Sequence, residues 1–178
     1  QTLEASWNSD GGEFFTQFTE AGTNNSIYEY SVDALNDLYA ALFYVDLSVK
    51  DDKLGVPIGL FTCEETTCPD EVESLWAEHS AENIIANLQS FQAAFHGSTD
   101  PEDDAMGFDD LLALQGAESI AETIKSGIDE AVQNLQSVNA SLKNAIASDL
   151  STIQDAYASL KAAMDQFKTE FADVLELE

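Results

Sequence analysis

The sequence predicts an all-α fold, an up-down four-helix bundle, and three observations carry that expectation. Apolar residues recur at three- and four-residue spacing in four long stripes. Neither an alternating β-branched run nor an Asn-Gly hairpin signal occurs among the 178 residues. A hydrophobic fraction of 44% supports a real core, so the net charge of −28 reads as the surface of a globular domain rather than the mark of a disordered acidic tail.

Taken in chain order, residues 1–30 are rich in Gly, Asn, Ser and Thr with scattered aromatics (Trp7, Phe14, Phe15, Phe18), which predicts a packed, irregular entry segment or a short helix fragment. The bundle is expected over 31–178. Its first helix, 31–49, follows from Val32, Leu35, Leu38, Tyr39, Leu42, Val45 and Val49. Lys53-Leu54-Gly55-Val56-Pro57-Ile58-Gly59 breaks the pattern, because Pro lacks an N–H and two glycines adopt unusual backbone angles, so a structured loop is expected there. A second helix, 70–96, carries Val72, Leu75, Trp76, His79, Ile84, Leu88, Phe91 and Phe95 between an Asp70 cap and a stop at Gly97. Residues 97–107 read as an exposed acidic loop, and 108–114 as a single turn or short helix. Ile120, Ile124, Ile128, Val132 and Leu135 define a third helix over 117–138. After a break near 139–149, Leu150, Ile153, Tyr157, Leu160, Met164, Phe167, Phe171 and Val174 define a fourth over 149–174. No internal repeat of 20 to 50 residues is present.

The charge excludes whole classes of partner. Thirty-four Asp and Glu face six Lys, there is no Arg, and no basic face exists to displace counterions from nucleic acid or to hold an anionic bilayer. Cations and cationic partners remain, beside the plainer account that such acidity serves solubility in saline surroundings. No run of 18 apolar residues offers a membrane span, and the first residues carry neither a basic nor an apolar leader region. Any signal peptide or lipid anchor would precede them. Cys63 and Cys68 are the only cysteines, and their spacing suits a local disulfide better than a metal site, which would want more thiolates or histidines nearby. A disulfide in turn points to an oxidising compartment, periplasm or cell surface.

Nucleophilic chemistry finds no Gly-x-Ser-x-Gly elbow and phosphate chemistry no Gly-rich Lys loop. Metal ligation has one candidate. His79 and Glu82 lie three apart on the second helix and so share a face, which lets an imidazole and a carboxylate reach one ion. His79 also falls in the apolar stripe, where a satisfied core histidine is the commoner finding. His96, at a helix end, reads as a C-terminal cap. The acidic run Asp100 to Asp104 offers oxygens for calcium without EF-hand spacing, and reads as solvated loop. Trp76, Phe91, Phe95, Tyr157, Phe167 and Phe171 sit at helical spacing and are assigned to the core.

Three stretches in order resemble the C-terminal half of the imelysin-like proteins, a group named for an insulin-cleaving bacterial metallopeptidase. Lys53-Leu54-Gly55-Val56-Pro57-Ile58-Gly59 is similar to the family's Lys-Leu-Gly-x-Pro-Leu/Ile-Gly turn. The run from Pro69 through Glu73-Ser74, His79-Ser80 and Asn87-Leu88 to Phe95-His96-Gly97 resembles a Glu-Ser…Asn/His-Ser…Asn-Leu-x-x-Phe helix, and Gly107-Phe108-Asp109-Asp110-Leu111-Leu112 completes the set. The resemblance implies one half of a two-bundle helical fold, a bacterial envelope location with peripheral or lipid-anchored association, and a role in iron uptake. It also implies a companion half or chain carrying the family's Gly-x-His-x-x-Glu motif, whose spacing Ala77-Glu78-His79-Ser80-Ala81-Glu82 echoes. The leading expectation is metal acquisition, with His79 and Glu82 as ligands, Glu73 and Ser80 as binding residues, and iron, zinc or calcium as the metal. Half of a zinc-type metallopeptidase and a structural or adhesion module are the other classes that fit.

Overall fold

A computed structural model describes residues 2–100, 103 and 105–178, and among these every regular element is helical. The chain divides into two compact units, one holding the residues up to Leu42 with Leu177 and Glu178, the other running Phe43–Glu176.

In the first unit, α1 (Leu3–Ser6) is capped by Thr2, whose Oγ1 accepts from the Ala5 N–H at 3.3 Å. It is followed by α2 (Glu13–Thr19) and α3 (Ser31–Leu42). The scattered aromatics of the entry segment find one another. The Trp7 ring lies 4.8 Å from Phe14 and 5.8 Å from Phe18, and Phe18 meets Tyr28 edge-on at 6.0 Å. The Tyr28 hydroxyl then donates to Asp37 on α3 at 2.8 Å. At the other chain end, the Glu178 N–H donates to Asn36 Oδ1 at 2.9 Å.

The second unit opens with a π-helix over Val45–Gly55, so the first apolar stripe does not continue as α-helix to residue 49. Its wider turn changes what faces inward: Val45, Asp46, Val49, Lys50, Leu54 and Gly55 are all buried. Two turns of apolar residues at spacing four satisfy either helix type, which is why periodicity alone did not separate them. A 3₁₀ turn, Pro69–Glu71, precedes α4 (Ser80–His96). The expected helix over 70–96 therefore starts ten residues later. Ser80 is the reason: its buried hydroxyl accepts from the Ser74 N–H at 3.1 Å, and Glu78 takes a left-handed φ of 58°, a conformation no helix continues through. Gly97 stops α4 with φ 76°, where a Cβ would also lie 2.3 Å from the Met106 carbonyl oxygen.

Next come α5 (Phe108–Leu114) and α6 (Glu118–Ser137). The expected break at 139–149 contains α7 (Leu142–Ser148), held by buried Leu142, Ala145 and Ile146. Finally α8 (Leu150–Gln166) widens into a π turn, Phe167–Phe171, and ends in α9 (Ala172–Leu175). The most extensive pairing joins α6 to α8. They cross at Gly127, where a Cβ would stand 2.7 Å from the Ser159 carbonyl oxygen. The core lies between α4, α6 and α8, and its largest fully buried side chains are phenylalanines: Phe167 and Phe171 stack at 4.6 Å, with Phe91 and Phe108 against them at 5.2 and 5.3 Å. Each such ring removed from water contributes roughly 1.5–3 kcal/mol. The all-α bundle expectation is met.

Candidate functional site

Polar chemistry gathers at the start of α4 and against the π-helix. At the start of α4, Ser80 is buried and Glu73, Ser74 and Asn83 surround the turn that it closes. Asn83 Nδ2 donates to Ser74 Oγ at 3.0 Å and to Glu73 Oε2 at 3.4 Å. Lys53, from the π-helix, pairs with Glu73 Oε1 at 3.0 Å and donates to Asn87 Oδ1 at 2.9 Å. The structure thus joins two of the sequence-predicted binding residues, Glu73 and Ser80, through Ser74 and Asn83. Ser80 acts there as a fixed acceptor.

His79 and Glu82 stand outside this network. His79 is the residue before α4, and the pair's Nδ1 and Oε2 are 4.0 Å apart with the two side chains 69% and 66% exposed. A core position for His79 is therefore corrected, and so is one for Trp76, which is 94% exposed. Both lie before the true helix start, where a 3.6-residue stripe has no meaning. Phe91, Phe95, Phe167 and Phe171 are core residues as expected, whereas Tyr157 is only half-buried, its hydroxyl turned to Asp51. Among the described residues no three His, Cys, Asp or Glu side chains are placed to hold one metal ion. The calcium reading of Asp100 to Asp104 falls partly on residues 101, 102 and 104, outside the described residues. Cys63 and Cys68 form a disulfide, and no described helix is long and apolar enough to cross a membrane. His96 pairs with Asp109 on α5, Nδ1 to Oδ2 at 2.7 Å, and so ties the end of α4 to a neighbouring helix.

The second cluster was not read from the sequence. Asp46 and Lys50, about 5% and 4% exposed, form an ion pair at 3.3 Å inside the π-helix, and Lys50 also hydrogen-bonds Asp51. The Tyr157 hydroxyl donates to Asp51 at 3.3 Å while its ring faces the Lys50 ammonium, 5.6 Å from the centroid. Lys168 bridges Asp46 and Asp165, both at 3.2 Å, and Lys161 holds Asp165 from the other side. Burial pulls Lys50 down, but the hydrogen bond to Asp51 and the charges of Asp46 and Asp51 outweigh it, leaving the ammonium above its usual range. Lys168 is raised in the same way, burial again being opposed by Asp165 and Asp46. Burial pushes the Tyr157 hydroxyl up, and the hydrogen bond from Lys161 holds Asp165 down. Three ammonium groups face three carboxylates, so the cluster is electrically balanced. One signal pointed to it: Asp46 and Lys50 are charges four apart, interleaved with the apolar Val45 and Val49.

A family model described as Imelysin matches residues 1–173. No curated protein and no solved structure matches the chain.

Proposed function

The chain belongs to the imelysin family, and on that premise we propose that it serves metal acquisition in the bacterial cell envelope, with iron as the metal and His79 and Glu82 as the ligands this chain supplies. The observation that carries the reading is the geometry of that pair. A nitrogen and an oxygen 4.0 Å apart are somewhat wider than two neighbouring ligands of one ion at about 2.0–2.2 Å from each, and a small rotation of either exposed side chain closes the difference. Both side chains are open to solvent, so an ion reaches them without rearrangement of the fold. Glu73 and Ser80 act behind the ligands, Ser80 by fixing the turn and Glu73 through Lys53 and Asn83. Water, or a companion half bearing Gly-x-His-x-x-Glu and docked at the bundle, completes the coordination. The Cys63–Cys68 disulfide supports an oxidising compartment, the periplasm or the bacterial surface with peripheral or lipid-anchored association.

Elemental analysis after loading with ferrous iron and dialysis tests the reading. One iron per chain is expected, falling by more than half in His79→Ala and in Glu82→Gln with helix content unchanged by circular dichroism. Iron retention equal to the parent protein in both variants sinks the assignment, and preferential retention of zinc or calcium corrects the metal.

A further inference from the structure

Trp76 is the most exposed large apolar side chain described in this protein, at 94%. Its position is not a loose one. The turn that carries it is closed at Ser74, whose carbonyl oxygen accepts from the Glu78 N–H at 2.8 Å and whose own N–H donates to the buried Ser80 hydroxyl at 3.1 Å. Asn83 holds the Ser74 hydroxyl at 3.0 Å, and Lys53 anchors the adjoining Glu73 at 3.0 Å. Glu78, two residues after the indole, sits at φ 58°, a backbone conformation costing on the order of 1–3 kcal/mol that persists only where its surroundings over-determine it. The fold therefore fixes the backbone beneath an indole that stands in water with its faces open to a partner.

Charge decides what that is. The segment from Pro69 to Glu82 carries five carboxylates and no Lys or Arg. Asp70 and Glu73 are taken by Lys143 and Lys53, leaving Glu71, Glu78 and Glu82 exposed and, among the described residues, without a lysine partner. A second copy of a chain of net charge −28, an anionic bilayer and a nucleic acid are all repelled from such a surface. A lysine or arginine side chain is attracted twice, by the carboxylates and by the face of the indole, the strongest cation–π acceptor among side chains. Tryptophan and arginine are also the residues that concentrate binding energy at protein interfaces.

We propose that the Trp76 turn is a pre-organised docking anchor for a lysine- or arginine-bearing segment of a partner protein. Docking here does not require metal at His79.

The test uses an eight-residue peptide of alternating Lys and Gly in about 150 mM salt with a chelator present. A control peptide has its lysines acetylated. In a Trp7→Phe background Trp76 is the sole indole, and its emission is expected to change saturably with the lysine peptide alone. By calorimetry, Trp76→Ala should weaken binding about ten-fold and Trp76→Phe by less, while His79→Ala, which is expected to lose metal, should stay within two-fold. Equal affinity in Trp76→Ala would mean diffuse attraction to an acidic surface and overturn the proposal. So would equal binding of the acetylated peptide, or self-association of the free protein through Trp76 seen by sedimentation. Loss of iron binding in His79→Ala with peptide binding intact separates this anchor from the metal reading.

Discussion

Lys50 is a nearly inaccessible cation whose stability rests on Asp46, Asp51 and the Tyr157 ring. Replacing it by Met fills much of the volume but leaves Asp46 and Asp51 facing one another without it. Lys50→Met is expected to destabilise the protein by about 3–5 kcal/mol, the usual cost of removing one member of a buried pair, read as a lower urea midpoint at unchanged slope. The pH dependence has a definite sign. Lys50, Lys168 and Tyr157 all bind their protons more tightly folded than unfolded. Their contribution is therefore fully present below their ordinary values and is lost as pH rises through the raised folded ones. Stability should hold from neutrality to about pH 10 and fall above it, less steeply in Lys50→Met; an identical alkaline slope in both proteins would mean that the pair does not carry the effect. Individual residues were the least legible part of the sequence. Whether Trp76 and His79 were stripe or turn depended on one hydroxyl, that of Ser80, whose tertiary role no periodicity announces.

At the scale of elements, Gly127 shows how closely α6 and α8 approach. Alanine is the better helix former by roughly 1 kcal/mol, yet here its Cβ would press on the Ser159 carbonyl oxygen at 2.7 Å and on Ala163 Cβ at 2.8 Å. Backbone cannot yield as a flexible side chain does, so Gly127→Ala should lower stability by about 1–3 kcal/mol, seen as a drop in Tm. A Tm at or above the parent's would show that the two helices are free to part. The helices with many apolar repeats, α4, α6 and α8, were legible because three or more turns repeat the same face. The π-helix was not, since its hydrogen bonds differ from those of an α-helix by one residue, a difference that apolar spacing over so short a segment does not reveal. Helix α7 was overlooked although Leu142, Ala145 and Ile146 carry the i, i+3, i+4 pattern, because two turns are too few to stand out from a polar connection.

For the molecule as a whole, 34 acidic groups against six lysines mean self-repulsion that grows as salt is removed. Tm is expected to rise steadily from about 10 mM to 1 M sodium chloride as screening shortens from tens of ångströms to a few; a flat response would show that the surface carboxylates are too far apart to matter. The all-α class was readable in the sequence because the apolar spacing that carries it is repeated over many residues. The six lysines are all paired: Lys50, Lys53, Lys125, Lys143, Lys161 and Lys168 each contact a carboxylate in the second unit. With no Arg in the chain, a trypsin-like protease has only these six places to cut, every one inside a helical element that must unwind before the backbone fits a protease cleft, and one of them, Lys50, almost wholly inaccessible. Tryptic cleavage of the native protein therefore reports the opening of its tertiary structure, whereas a glutamate-directed protease samples its surface.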